Sequence, residues 1–215
     1  MCYTSSDSRN AYIINIISSL LLLSDYKDYD TKILAYFFLF VGQMQLFDYI
    51  FWKNQECNII NKTSTKFAII FNHLQPIILY LLIKYYGYQQ SKLSTIIIIL
   101  YIIVAIKYTS DIWPNINCDQ KEPVCCSLVK NDIIYWQWND QYNNLSIYIL
   151  FLLSLVVSSF DLQNKQNQII FSFASVITFF ISLKIPKLNQ SSGRIWCYMA
   201  SLIPLFIYIK KKISN

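Results

Sequence analysis

The stretch Ile96-Ile97-Ile98-Ile99-Leu100-Tyr101-Ile102-Ile103-Val104-Ala105 decides the class of this chain. It is continuous, with no turn residue, and lacks the alternation that strands of an outer-membrane barrel show in segments of about 10 residues. Similar apolar runs recur along the chain. Each extends to about 20 residues, enough for a helix to cross a hydrocarbon layer roughly 30 Å thick. Backbone amides in that layer must pair within their own segment, so the runs are expected to be helices. The 215 residues are 55% hydrophobic and only 14% charged, against about 25% charged in an ordinary soluble domain. So few charges would not cover this much apolar surface in water.

The pattern predicts an all-α, polytopic membrane bundle of seven spans in one domain. The spans are 10–24, 32–52, 66–86, 91–108, 145–160, 166–183 and 193–209. The first carries Asn15, Ser18 and Ser19 and has no small-residue cleavage site, so it reads as a retained helix rather than a secretory leader. A polar connection, 109–144, separates the fourth and fifth spans. It holds Trp113-Pro114, Cys118, Cys125, Cys126 and Trp136-Gln137-Trp138. Its apolar Ile133-Ile134-Tyr135-Trp136 run suggests a short element at the membrane surface, with aromatics at headgroup level. The connection reads as a cap over the bundle, or more sharply as a lid. The net charge of +6 comes from lysines scattered through short loops. That suits anionic lipid headgroups and argues against a nucleic-acid partner.

Orientation follows from charge density. Lys27, Lys32, Lys84, Lys92, Lys165 and Lys210-Lys211-Lys212 crowd into short segments on the C-terminal side of the bundle. The basic residues on the other side are spread over long ones. Short basic loops stay in the cytosol, so the C-terminus is expected inside and the N-terminus outside or in a lumen. All six cysteines, Cys2, Cys57, Cys118, Cys125, Cys126 and Cys197, then fall at the outer face. An oxidising compartment would allow disulfides among them, with the connectivity open. Zinc is not expected, because Cys118, Cys125 and Cys126 lack the paired spacing of a structural site. Sequons at Asn61, Asn144 and Asn189 also fall on that side and are glycosylation candidates.

Two neighbouring spans carry a polar cluster. In the second, Gln45 and Asp48 share a face; in the third, Asn72, His73, Gln75 and Pro76 fall within an arc of about 160° at the helical period. An antiparallel arrangement brings them level in the outer half of the layer, with Arg194 entering from the seventh span. An uncompensated carboxylate there costs at least about 2.5 kcal/mol, so Asp48 must face the interior or a partner. The cluster is either a small-ligand site or a set of hydrogen bonds that join helices. Pro76 is expected to bend its helix and release a carbonyl to a polar neighbour.

Several of these features together resemble one family. They are Met1-Cys2-Tyr3-Thr4-Ser5, Gln45-x-x-Asp48, His73-x-Gln75-Pro76, Trp113-Pro114, the Cys118–Cys126 loop before Trp136 and Trp138, and Trp196-Cys197. They are similar to an uncharacterised family of multi-pass membrane proteins of giant DNA viruses with bacterial relatives, whose chains begin Met-Cys-aromatic-Ser. Thr4 stands where the family has Ser. The resemblance implies a fold and a viral or protist setting, in a virion, endomembrane or plasma membrane, but no reaction.

The chain is therefore expected to be a non-enzymatic membrane component without a cofactor. Its expected partners are the bilayer and a membrane protein or a second copy of itself. The alternative is a small-ligand receptor or transporter using the polar cluster. A hydrolase has the least support: seven-helix metal hydrolases need several histidines and this chain has one, and no nucleophile is marked beside Asp48 and His73. The last span contains no lysine for a retinal Schiff base.

Overall fold

The computed structural model describes residues 4–56, 58–116, 127–130, 133–136, 145–184 and 192–214. Among them are seven α-helices: α1 (Ser5–Asp25), α2 (Tyr29–Lys53), α3 (Ile59–Tyr85), α4 (Lys92–Ile112), α5 (Leu145–Ser159), α6 (Lys165–Lys184) and α7 (Ser192–Ser214). Capping side chains set their starts. Thr4, Asp28, Asn58 and Ser91 each accept a hydrogen bond from the backbone amide three residues on, which satisfies donors that a helix start leaves orphaned. The Asn58 cap starts α3 at Ile59, a full turn and more before the apolar run expected from 66. Helix α3 ends where Gly87 turns left-handed at φ 80°. There Gly87 N–H donates to the Lys84 carbonyl and Tyr88 N–H to that of Ile83, a Schellman closure that favours glycine.

The helices form a closed circuit. Helix α1 lies on α2 and α7; α2 also meets α3 and α7; α3 meets α4 and α5; then α4 meets α5, α5 meets α6, and α6 meets α7. Loop contacts gather the helix ends into two poles. At the tail pole Lys212 meets Asp25 at 3.0 Å and Lys211 meets Asp28 at 2.8 Å, tying the end of α7 to the α1–α2 corner. Asp30 accepts the amides of Gln163 and Asn164 in the α5–α6 turn, and Asp161 in that turn accepts the amide of Ser91 at the start of α4.

Three helices, α2, α3 and α4, are long and apolar enough to cross a membrane. Helix α5 is apolar but shorter, at 15 residues, while α1 and α6 carry polar residues that point inward. In α1 the stripe Ser8, Asn15, Ser19 and Leu22 is buried while Ile13, Ile17 and Leu20 are exposed. In α6 Asn167, Phe171, Ser175 and Thr178 are buried while Ile169, Phe173 and Phe180 are exposed. Both stripes follow the helical period. A water-soluble helix reverses this arrangement. The inward hydroxyls return to their own helix: Ser175 Oγ donates to the Phe171 carbonyl at 2.8 Å and Thr178 Oγ1 to that of Ala174 at 2.7 Å, the back-bonding that lets Ser and Thr sit in an apolar interior.

The body is all-helical, as expected. The expected surface element over Ile133–Trp136 is instead one strand of an antiparallel hairpin, β1 (Ser127–Lys130) paired with β2 (Ile133–Trp136), register Ser127 to Trp136. Its run of β-branched and aromatic residues suits a strand better than a helix.

One close crossing joins three helices. A Cβ built on Gly42 of α2 would lie 2.3 Å from Oδ1 of Asn15 in α1. Asn15 Nδ2 donates across the same junction to the Ser201 carbonyl of α7 at 3.3 Å. Glycine is required here by space alone. Gly42→Ala is expected to lower stability by about 1–3 kcal/mol, the usual cost of overpacking, and Asn15→Ala in the same chain to restore part of it. Thermal melts of the two single variants and the double variant in one detergent check this.

The tail pole carries a pH dependence. Hydrogen bonds from Lys212, Ser24 and Tyr208 hold the Asp25 carboxyl below its ordinary value. Burial raises that of Asp28, but Lys211 and Thr31 together pull it below the ordinary value. Depressed carboxyls stabilise the fold above their unfolded pKa of about 3.9, and that contribution is lost as pH falls through the lower folded values. Residues 208–214 are therefore expected to exchange amide hydrogens faster at pH 3 than at pH 6 after correction for the intrinsic rate.

Candidate functional site

All five described members of the expected cluster are buried: Gln45, Asp48, Asn72, His73 and Gln75. Among the described residues, Asp48, His73 and Gln75 each bond a different neighbouring element. The side chain of Arg194 lies outside the described residues, so its approach to Asp48 does too.

Asp48 lies toward the pole opposite the tail and accepts a hydrogen bond from the indole Nε1 of Trp136 at 3.1 Å. Trp136 is fully buried, so the end of β2 is plugged into the bundle rather than laid on a membrane surface. The other strand is fixed at the start of α3. Asn61 Nδ2 donates to the carbonyls of Asn54 at 2.6 Å and Ser127 at 3.0 Å, and its Oδ1 accepts the Ser127 amide at 3.2 Å. Gln55 Oε1 accepts the amide of Val129. The Asn61 side chain of the first sequon is thus buried, and the nitrogen that would carry a glycan bonds two carbonyls.

His73 turns the other way, toward α4. Its Nδ1 pairs with the Tyr101 hydroxyl at 3.2 Å, and that hydroxyl donates to the His73 carbonyl at 3.0 Å. Pro76 removes the amide that would bond the Asn72 carbonyl, one residue before the carbonyl that Tyr101 bonds. Tyr108 meets the His73 ring edge-on at 5.2 Å, and Tyr148 lies 6.5 Å away.

Gln75 faces α7. Its Oε1 accepts the indole N–H of Trp196 at 2.8 Å, and its Nε2 lies 3.7 Å from the buried Cys197 Sγ. The arc expected from the helical period is real, but it is wide enough that His73 and Gln75 serve opposite neighbours. Asn72 falls between them, beside a cavity of about 20 Å³ whose walls include Tyr148, Phe151, Ser175 and Trp196. Neither atom of its carboxamide has a hydrogen-bond partner among the described residues. That volume admits about one water and no larger ligand.

Tyr101, Trp136 and Trp196 complete this network, and the sequence reading assigned none of them a partner. An aromatic with a polar tip needs a partner once buried, which is the signal they carried. Cys2, Cys57, Cys118, Cys125 and Cys126, and the sequons at Asn144 and Asn189, lie outside the described residues. No protein-family model matches the chain, and no curated protein or solved structure is significantly similar to it.

Replacing Trp136 by Phe removes one donor from a buried carboxylate while keeping the ring. The expected loss is about 1.5–3 kcal/mol, the range for a charged hydrogen bond, and it shrinks when Asp48→Asn is already present. A double-mutant cycle read by thermal unfolding measures the coupling, and a value near zero would remove the pair from the network.

Proposed function

We propose that this chain is a seven-span membrane protein, N-terminus outside and C-terminus in the cytosol, that acts by packing and partner contact rather than by catalysis. One observation carries the reading. Asp48, His73 and Gln75 each pair with a different neighbouring element, and the cavity beside Asn72 is water-sized. This is what polar residues do when they hold helices together in an apolar medium. The crossing count draws support from the two poles and from the outward apolar faces of α1 and α6. The orientation draws support from the lysines around the tail pole, which match the positive-inside rule. The outer pole, with the hairpin and the cysteine-bearing connection, is then where disulfides form and where another membrane protein or a second copy would dock. The motif resemblance is the ground for proposing a viral or host membrane as its setting.

A groove favours a second reading, the small-ligand receptor. It measures about 380 Å³ between α3 and α4, lined by Ile70, Ile77, Ala105 and Ile106 with His73 among its walls. Its apolar walls suit a ligand dissolved in the bilayer more than one from water.

Epitope tags at the two termini are expected to reach opposite compartments, the N-terminal one stained in intact cells and the C-terminal one only after permeabilisation. Staining of both tags together would end the odd crossing count. A photoactivatable sterol that labels α3 and α4 in a saturable way would favour the receptor; labelling that rises without limit would leave the packing reading in place.

A further inference from the structure

At the tail pole, α6 and α7 part around a cleft of about 370 Å³ that also touches the α1–α2 corner. Two ammonium groups, Lys210 and Lys211, and one carboxylate, Asp28, line it. Resting on the membrane reading above, we propose that this cleft is a binding site for the phosphate group of an anionic lipid.

The lining argues for an anion and against a cationic headgroup. Asp28 is already bonded to Lys211 at 2.8 Å. The face of Tyr26, the aromatic that would hold a quaternary ammonium, already has Lys211 Nζ 4.8 Å above it. Lys210 and Asn167 add donors to this lining. Lys210 Nζ lies 3.0 Å from Gln166 Oε1 at the rim. Asn167 is 6% exposed and lines the cleft, and its Nδ2 has no hydrogen-bond partner among the described residues. A buried amide nitrogen left this way costs free energy unless an acceptor reaches it.

Helix α6 begins at this cleft, so its positive end adds to the field. The amides of Gln166 and Asn167 already donate to Asn164 Oδ1; the helix therefore contributes field rather than direct bonds. Chain direction supplies the lipid character. Ile170 lies one turn deeper than Gln166 in α6, and Ile207 one turn deeper than Lys211 in α7. The cleft thus passes from donors at headgroup level to apolar walls where a glycerol backbone and acyl chains would run. Free phosphate esters share the donor chemistry but have no use for those walls.

The test uses the full chain in nanodiscs of phosphatidylcholine, with phosphatidic acid titrated in and thermal unfolding as readout. Wild type is expected to melt higher as phosphatidic acid rises. Lys210→Gln is expected to shift the midpoint of that titration roughly tenfold, the equivalent of one charged hydrogen bond, and Asn167→Leu to shift it in the same direction. Lys92→Gln, on the same pole but outside the cleft, is expected to titrate as wild type. A separate arm adds glycerol 3-phosphate to discs of phosphatidylcholine alone; the same stabilisation there would assign the site to a free phosphate ester instead of a lipid. Equal shifts in all three variants would mean diffuse surface attraction, and no response of wild type to either compound would remove the site. Failure of the membrane reading looks different: the chain would not enter discs of any composition.

Discussion

Inside an apolar shell a polar side chain has only other protein groups to bond, and this bundle is arranged around that constraint. Its outward faces are Ile, Leu and Phe; its inward faces carry Asn, Ser, Thr, Gln, His and Asp. Hydrophobic burial alone would not choose between these helices, since their apolar faces would be equally content against lipid. What selects neighbours is the set of directed bonds: Asn15 to α7, His73 to α4, Gln75 to α7 and Asp48 to the hairpin. Each bond has a defined direction, so together they favour the neighbours of α1, α2 and α3 over other arrangements.

The same constraint explains the outer hairpin. A two-stranded ribbon of this size is marginal in isolation. Here it is held at both strands, by Asn61 and Gln55 on β1 and by Asp48 on β2. Burying a carboxylate is costly unless it is bonded, so Asp48 and Trp136 depend on each other: the indole needs an acceptor and the carboxylate needs a donor. The hairpin therefore closes the outer end of the bundle as a fixed plug rather than resting on it as a loose cover.

The helices were legible in the sequence because membrane-length apolar runs are a signal that few other structures produce. The weak first run became the 21-residue α1, since its Asn and Ser face inward and lower the average without exposing polarity. The site was legible only as a list of residues. Asn72, His73, Gln75, Gln45 and Asp48 are all buried, yet the partners of His73, Gln75 and Asp48 come from α4, α7 and β2. Those pairings span sequence separations of 28 for His73–Tyr101, 88 for Asp48–Trp136 and 121 for Gln75–Trp196. Helical period fixes a direction on one helix but does not say which helix stands there. Trp136 misled for a related reason, because an aromatic near an apolar run suits a membrane interface as well as a buried plug.

The two poles manage charge by opposite means. At the outer pole the described network is nearly neutral, built from amides, hydroxyls and indoles around one carboxylate. At the tail pole Asp25 and Asp28 each hold a lysine of α7, and Asp30 accepts two backbone amides of the α5–α6 turn. Exposed ion pairs contribute little individually. Their value here is positional: they bring the end of α7 back over the α1–α2 corner, and that return forms the cleft lined by Lys210 and Asn167. A pole assembled from neutral bonds would close with less charge at its rim.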